Sequence, residues 1–125
     1  MLSTTLQVAL GGAIGASARY LSGVGIGRLF GITGFPLGVI AVNVLGSFLM
    51  GLFAGALARR GLAHLNPFLM TGVLGGFTTF SAFSLEAVTL YERGAVGQAA
   101  VYVIGSVVLS IGTLILGLTL ARSFA

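Results

Sequence analysis

Four long apolar stretches dominate this 125-residue chain and limit its fold more than any other feature. A helix needs about 20 apolar residues to cross the roughly 30 Å hydrocarbon core of a bilayer, and each stretch is about that long. The sequence therefore predicts an all-α membrane protein with four transmembrane helices in a single domain, residues 1–125. The predicted spans are Leu2 to Leu21, Pro36 to Leu57, Pro67 to Tyr91 and Ala95 to Ala121, joined by short linkers of which the first is Ser22 to Phe35. Pro36 and Pro67 suit the first helical turn, where no N–H partner is lost, and Asn66 is the predicted N-cap of the third span.

Composition supports a membrane location and excludes several classes of function. Hydrophobic residues make up 57% of the chain and charged residues 6%, which is far from the balance of a soluble domain. The net charge of +4 comes from scattered arginines that form no basic stripe, so nucleic acid is not an expected partner. With no Cys and the single histidine His64, no thiolate or histidine metal centre is expected. No nucleophile, base and orienting group combine into a catalytic set, so the chain is not expected to be an enzyme.

The third stretch contains a run that interrupts its helical pattern, Gly75-Gly76-Phe77-Thr78-Thr79-Phe80-Ser81-Ala82-Phe83. Paired glycines and adjacent β-branched threonines both disfavour a helix. Lipid offers no hydrogen-bond partner to freed backbone groups, so irregular backbone at this depth is tolerated only inside protein or against a cavity. We therefore predict a helix break at bilayer depth, with an ion or substrate site beside it.

Polar side chains in the second and fourth stretches are candidates for lining that site. Asn43 offers amide donors and an acceptor, and it either faces a pathway or bonds an adjacent helix. Ser47 lies one turn further along the same face. Tyr102, Ser106 and Ser110 recur at every fourth position, so their hydroxyls share one stripe. The stripe can form a polar track, or each serine can bond a carbonyl of its own helix.

Aromatic and charged residues complete the candidate set. Phe80 and Phe83 share a helix face beside small hydroxyl side chains, and the edge of a phenyl ring is the positive end of its quadrupole. These ring edges can receive a small anion as it sheds water. Arg19 and Glu86 lie in or near the hydrocarbon, where Arg19 can snorkel, pair with Glu86, or supply positive potential at a pore mouth.

Charge counts across the predicted loops leave the membrane orientation nearly undecided. Arg59, Arg60 and Arg122 fall on one side, while Arg28 and Arg93 fall on the other, with Arg19 close to a span end. Because positive charge sets orientation, so small a difference predicts insertion both ways up and pairing of oppositely oriented copies. A single orientation set by two of the arginines remains the alternative. Three pairs of glycines at small-xxx-small spacing suit either packing within the chain or a dimer seam, namely Gly11 with Gly15, Gly51 with Gly55, and Gly72 with Gly76.

These motifs together resemble the Fluc family of fluoride channels over essentially the whole chain. The likeness is carried by the run from Gly11 to Ala16 leading to Arg19-Tyr20, by Asn43-Val44-Leu45-Gly46-Ser47-Phe48, by Gly75 to Ser84 with Glu86, and by the Tyr102, Ser106, Ser110 stripe. It implies a dual-topology homodimer, multi-pass in the inner (plasma) membrane, with two parallel pores that export cytoplasmic fluoride passively.

The resemblance also implies a role for each candidate residue. Asn43, Phe80 and Phe83 would line the pores, Tyr102, Ser106 and Ser110 would form the polar track, and Thr79 and Ser81 would add hydroxyls nearby. Carbonyls of Gly75 and Thr78 from both subunits would hold a central structural Na⁺, and Arg19 and Glu86 would belong to the vestibule. The chain departs from the family at Ala82, where Thr is common.

A small proton-coupled multidrug exporter is the alternative function, because such carriers share this length and span number. Proton coupling calls for a membrane-embedded acid in the first span. The first stretch has no Asp or Glu, and Glu86 is the sole candidate elsewhere.

Overall fold

A computed structural model describes residues 1–31 and 34–124, and every regular element in them is helical, which confirms the all-α prediction. Helix α1 spans Leu2–Phe30 and α2 spans Leu37–Arg59. A 3₁₀ turn at Ala63–Leu65 leads into α3, which is π-helical over Pro67–Leu74 and ends in the α-helical turn Gly75–Phe77. Helix α4 spans Phe80–Glu92 and α5 spans Val96–Phe124.

Three helical segments of the described chain are long and apolar enough to cross a membrane: Leu37–Arg59, Ala63–Glu92 and Val96–Phe124. Helix α1 has 29 residues, so its length suffices, but Gln7, Arg19 and Arg28 make it more polar than the others. It also continues past Leu21 to Phe30, so the predicted linker from Ser22 to Phe35 was wrong over its first part. The glycines of that part are tolerated inside the helix. Ile32 and Thr33, also assigned to the linker, lie outside the described residues.

Glycines bring α1 and α3 into backbone contact. A Cβ atom added to Gly76 would lie 2.7 Å from the Gly12 carbonyl oxygen, and one added to Gly15 would lie 2.8 Å from the Phe77 nitrogen. The Gly11 site likewise faces the Gly72 Cα at 2.9 Å. Small residues allow this approach, so both glycine pairs on these helices pack within the chain.

A second glycine seam joins α2 and α5. A Cβ atom on Gly117 would lie 2.9 Å from the Leu52 nitrogen, and one on Gly55 would lie 2.7 Å from the Ala121 Cβ. Thr113 Oγ1 donates to the Val44 carbonyl at 3.1 Å. Residues later in α2 contact residues later in α5, so the two helices run in the same direction.

The predicted break in the third span is confirmed, but only one of its two expected causes, the threonine pair, accounts for it. Helix α3 ends at Phe77, and Thr78 and Thr79 are extended, with φ/ψ of −88°/158° and −151°/122°. Gly75 is helical at −62°/−37°. The threonines therefore form the break, while the glycine pair lies in the helix, where Gly76 serves the contact with α1.

Two helix starts were also predicted from proline. Pro67 occupies the first position of α3, as expected for a residue that has no N–H to lose. Pro36 lies just before α2, which begins at Leu37. Asn66 was wrongly predicted to cap α3, because it is itself helical and its side chain makes no capping hydrogen bond.

Candidate ion site at the helix break

The Asn43 side chain forms hydrogen bonds with the unwound backbone at the break. Its Nδ2 donates to the Thr79 carbonyl at 3.0 Å, and its Oδ1 accepts from the Thr79 N–H at 2.8 Å. Both backbone groups of an extended residue at bilayer depth are thereby satisfied, as a low-dielectric environment requires. An amide carries a second N–H, and the described residues provide no acceptor for it. Asn43 therefore bonds a neighbouring segment, as one alternative predicted, and it also borders a cavity; its place in an ion pathway stays a prediction.

Thr79 starts α4 as its N-cap. Its Oγ1 accepts from the Ala82 N–H at 3.1 Å, which satisfies one of the free amides of the first turn. The same oxygen lies 3.3 Å from Ser81 Oγ, so one of these two hydroxyls donates a hydrogen bond to the other. The Ser81 side chain is exposed and lies outside the cavity described next.

A cavity of about 400 Å³ lies beside the break; we call it the aromatic cavity. It collects most of the predicted pore residues from three different helices. Its lining is uncharged, and Gly46, Met50, Val107, Ile111 and Leu114 provide its apolar part. The remaining lining residues are Asn43, Ser47, Thr78, Thr79, Phe80, Phe83, Ser106 and Ser110.

A row of aromatic rings begins in this cavity with Phe80 and Phe83 and continues to Tyr102 and Phe35, which do not line it. The centroids of Phe80 and Phe83 are 5.5 Å apart, and those of Phe83 and Tyr102 are 5.2 Å apart. Phe35 meets Tyr102 edge to face at 5.6 Å and 88°. Tyr102 is fully buried and Phe83 is partly buried, whereas Phe80 is 77% exposed in the single chain.

Two hydroxyls near the cavity are buried without a hydrogen-bond partner, those of Tyr102 and Ser106. Tyr102 is fully buried, and Ser106 is 5% exposed. Several other hydroxyls in the membrane-spanning helices bond a carbonyl four residues earlier, as those of Ser84, Thr89 and Thr119 do. Because an unsatisfied buried polar group costs about 1–3 kcal/mol, these two sites call for a ligand or water.

A second cavity, of about 620 Å³, lies between α1, the start of α2 and α4; we call it the mouth. Arg19, Glu86 and Arg93 line it. Arg19 Nε donates to the Gly76 carbonyl at 3.2 Å, so it binds the end of α3. Arg93 donates to the Gly34 carbonyl at 2.9 Å. Thr79 lines both cavities, so the Asn43–Thr79 pair lies between the mouth and the aromatic cavity.

The carbonyls that lose their helical donor at the break include those of Gly75 and Thr78. In a continuous helix the Gly75 carbonyl would accept from the Thr79 N–H, but that N–H donates to Asn43. The Thr78 carbonyl would accept from the Ala82 N–H, which instead donates to Thr79 Oγ1. Gly75 is exposed on the surface of the single chain.

Two residues of this region were not singled out from the sequence. Phe35 packs on Tyr102, and Arg93 joins the charged residues of the mouth. Their signal is weak, since Phe35 only precedes a proline and Arg93 only ends a helix. Both come close to the site through tertiary packing.

Known proteins similar to this chain identify its family. Residues 6–118 match the family described as CrcB-like protein, Camphor Resistance (CrcB). The chain belongs to the CrcB family. Curated relatives cover nearly all of it, and each is named a fluoride-specific ion channel FluC. The relative from Ruegeria sp. (strain TM1040) is 68% identical over 122 residues, 98% of this chain and 97% of its own.

Two further CrcB-family relatives extend the comparison. The one from Cereibacter sphaeroides (strain ATCC 17029) is 61% identical over 124 residues, 99% of this chain and 98% of its own. The one from Roseobacter denitrificans is 60% identical over 122 residues, 97% of each chain. The resemblance inferred from the motifs is therefore confirmed.

Proposed function

We propose that this chain is a fluoride-selective channel of the inner (plasma) membrane, through which cytoplasmic fluoride leaves passively. One observation carries the proposal: the uncharged aromatic cavity is flanked by the Tyr102 and Ser106 hydroxyls, both buried without a partner. Relatives 60–68% identical to the chain are named fluoride-specific channels, which supports the identity of the ion. None of the relatives described above is named an enzyme or an exporter.

The chemistry of the lining suits a small, strongly hydrated anion. A selective path must return the hydrogen bonds that the ion loses with its water, yet bind it weakly enough to release it. Hydroxyls, the free Asn43 N–H and the ring edges of Phe80 and Phe83 are uncharged donors of this kind. A fixed positive charge inside the aromatic cavity would hold the ion; no arginine of the described chain lines that cavity, and Arg19 and Arg93 lie in the mouth instead.

Arg19 and Arg93 give the mouth positive potential, which raises the local concentration of anions. From there the ion passes the Asn43–Thr79 pair and enters the aromatic cavity. Glu86 on the same rim limits how strongly the mouth retains an anion.

A structural Na⁺ bound at the break is part of the proposal. The Gly75 and Thr78 carbonyls fit this ion because each has lost its helical donor. Unwound carbonyls are typical Na⁺ ligands in membrane proteins, and a bound cation adds positive potential to its surroundings. Those two carbonyls from each of two chains would hold the ion, and the bound ion would satisfy oxygen atoms that lipid cannot.

Exposure at the break supports a homodimer. Gly75, Phe80 and Ser81 are exposed in the single chain, although they flank irregular backbone at membrane depth. Lipid-exposed irregular backbone is not tolerated in hydrocarbon, so another protein surface must cover this region. A second copy, oppositely oriented, is the partner that the balanced arginine distribution favours.

Purified protein in liposomes loaded with fluoride tests the function. With a potassium ionophore present, we expect rapid fluoride efflux and no comparable chloride efflux. Phe80→Ala should slow fluoride efflux at least about tenfold, since one lining ring is lost. Intact protein that leaves the liposomes silent would exclude a channel, and equal chloride efflux would exclude selectivity.

A further inference from the structure

We propose, on the basis of the proposed function, that Ser47 is a further fluoride-contacting residue, which continues the hydroxyl track beyond Ser110 on the neighbouring helix. The Ser47 side chain lines the aromatic cavity, one helical turn past Asn43 on α2. Its residue type supplies a single neutral donor, like Ser106 and Ser110 across the cavity.

The register of α2 against α5 sets the position of Ser47 along the track. Thr113 bonds the Val44 carbonyl, and Gly117 meets Phe48 and Leu52. With the two helices running in the same direction, Ser110 is about level with Val44. Ser47 then lies three residues further along, roughly 4.5 Å at a rise of 1.5 Å per residue.

Helix α5 has no free hydroxyl at that level. Thr113 is the next hydroxyl after Ser110, but its Oγ1 donates to the carbonyls of Val44 and Ser110. Ser47, in contrast, has no hydrogen-bond partner among the described residues, not even the Asn43 carbonyl one turn earlier. Ser84, Thr89 and Thr119 all make that bond in their own helices. The Ser47 hydroxyl is thus available to a guest in the cavity.

The cavity becomes apolar beyond Ser47. Met50 follows it on α2, and Leu114 lies on α5 at the same end. An anion that leaves Ser110 and Asn43 in this direction has Ser47 as its last donor before these apolar side chains. Losing that donor raises the barrier at this step, so it should slow conduction and leave the fold unchanged.

Fluoride efflux at a low protein-to-lipid ratio tests this role, with Ser47→Ala, Ser47→Thr and Ser84→Ala compared with the unaltered chain. Ser84 is the control because its hydroxyl bonds the Phe80 carbonyl of its own helix. We expect Ser47→Ala to slow efflux per active liposome by about tenfold, the usual size of a lost hydrogen bond to an ion. Ser47→Thr should stay within about twofold because it keeps the hydroxyl.

The experiment separates a conduction defect from a folding defect. A structural role for Ser47 would lower the fraction of liposomes that release fluoride, whereas a role in conduction lowers the rate in each. If Ser47→Ala leaves the efflux rate per liposome unchanged, or lowers only the fraction of active liposomes, the inference about Ser47 is overturned. The proposed channel function is not affected by that result. If the unaltered chain is silent, the proposed function fails and the inference fails with it.

Discussion

At the scale of single residues, Asn43 links the fold to the proposed pathway. Its amide satisfies both backbone groups of Thr79 and also borders the aromatic cavity. Asn43→Leu keeps a similar size but leaves the Thr79 N–H and carbonyl unpaired. We expect the free energy of unfolding to fall by about 2–4 kcal/mol and fluoride efflux to fall at least tenfold. Thermal unfolding in detergent and liposome efflux measure the two effects.

Asn66→Leu is the matched control for that change. The Asn66 side chain makes no capping bond, and its Oδ1 is buried without a partner. Replacing it should leave both stability and efflux close to those of the unaltered chain. Equal losses in the two variants would mean that the effect at position 43 is one of general packing, not of the bridge to Thr79.

Tyr102 offers a residue-scale test that separates packing from ion contact. Its ring packs between Phe35 and Phe83, while its hydroxyl has no partner. Tyr102→Phe keeps the ring and removes no protein hydrogen bond, so stability should change by less than about 0.5 kcal/mol. If the hydroxyl donates to the passing anion, fluoride efflux should fall about five- to tenfold. Efflux equal to that of the control Tyr91→Phe, at an exposed tyrosine, would rule out that contact.

At the scale of helices, the seam between α1 and α3 should tolerate no side chain. Alanine at Gly15 would push its Cβ into backbone atoms of Val73 and Phe77. We expect Gly15→Ala to lower the free energy of unfolding by about 1–3 kcal/mol, as overpacking does. Gly105→Ala is the control, because no atom lies within 4 Å of its added Cβ. That variant should be neutral or more stable by up to about 1 kcal/mol, since alanine favours a helix. Similar melting temperatures for both variants would contradict the close contact.

The same helices show where reasoning from sequence succeeds and where it stops. The break in the third span was predictable because lipid penalises any interruption, and Pro67 marked the start of α3 correctly. Which residues form the break was not predictable, because Gly75-Gly76 and Thr78-Thr79 both disfavour a helix. Only packing against α1 keeps the glycines helical. The end of α1 was missed because glycine-rich segments have similar local preferences in helices and loops.

The candidate site was predictable in its residues but not in its bonds. The spacing of Tyr102, Ser106 and Ser110 pointed to one stripe, and the structure brings Ser106 and Ser110 to the aromatic cavity beside Phe83. The bridge from Asn43 to Thr79 joins residues 36 positions apart, and no local pattern encodes such a contact. The roles of these residues in conduction stay predictions until efflux is measured.

At the scale of the whole molecule, the proposed dual orientation and antiparallel pairing depend on the balanced distribution of arginines. Arg60→Ala with Arg122→Ala removes two exposed charges from one side and keeps Arg59, which bonds the Arg122 carbonyl. Ala63→Arg with Ser123→Arg adds two charges to that same side. Each pair of changes should force one orientation, opposite in the two variants, which accessibility of a C-terminal tag measures.

Neither biased variant alone can supply an antiparallel partner, so each should protect cells from fluoride poorly when expressed by itself. Expressed together, the two variants provide both orientations, and resistance should return to the level of the unaltered chain. This recovery depends on pairing, because a channel that needs only one orientation would work when either variant is expressed alone. Full resistance from either single variant would therefore contradict the antiparallel dimer. It would not contradict the predicted pore residues of each chain.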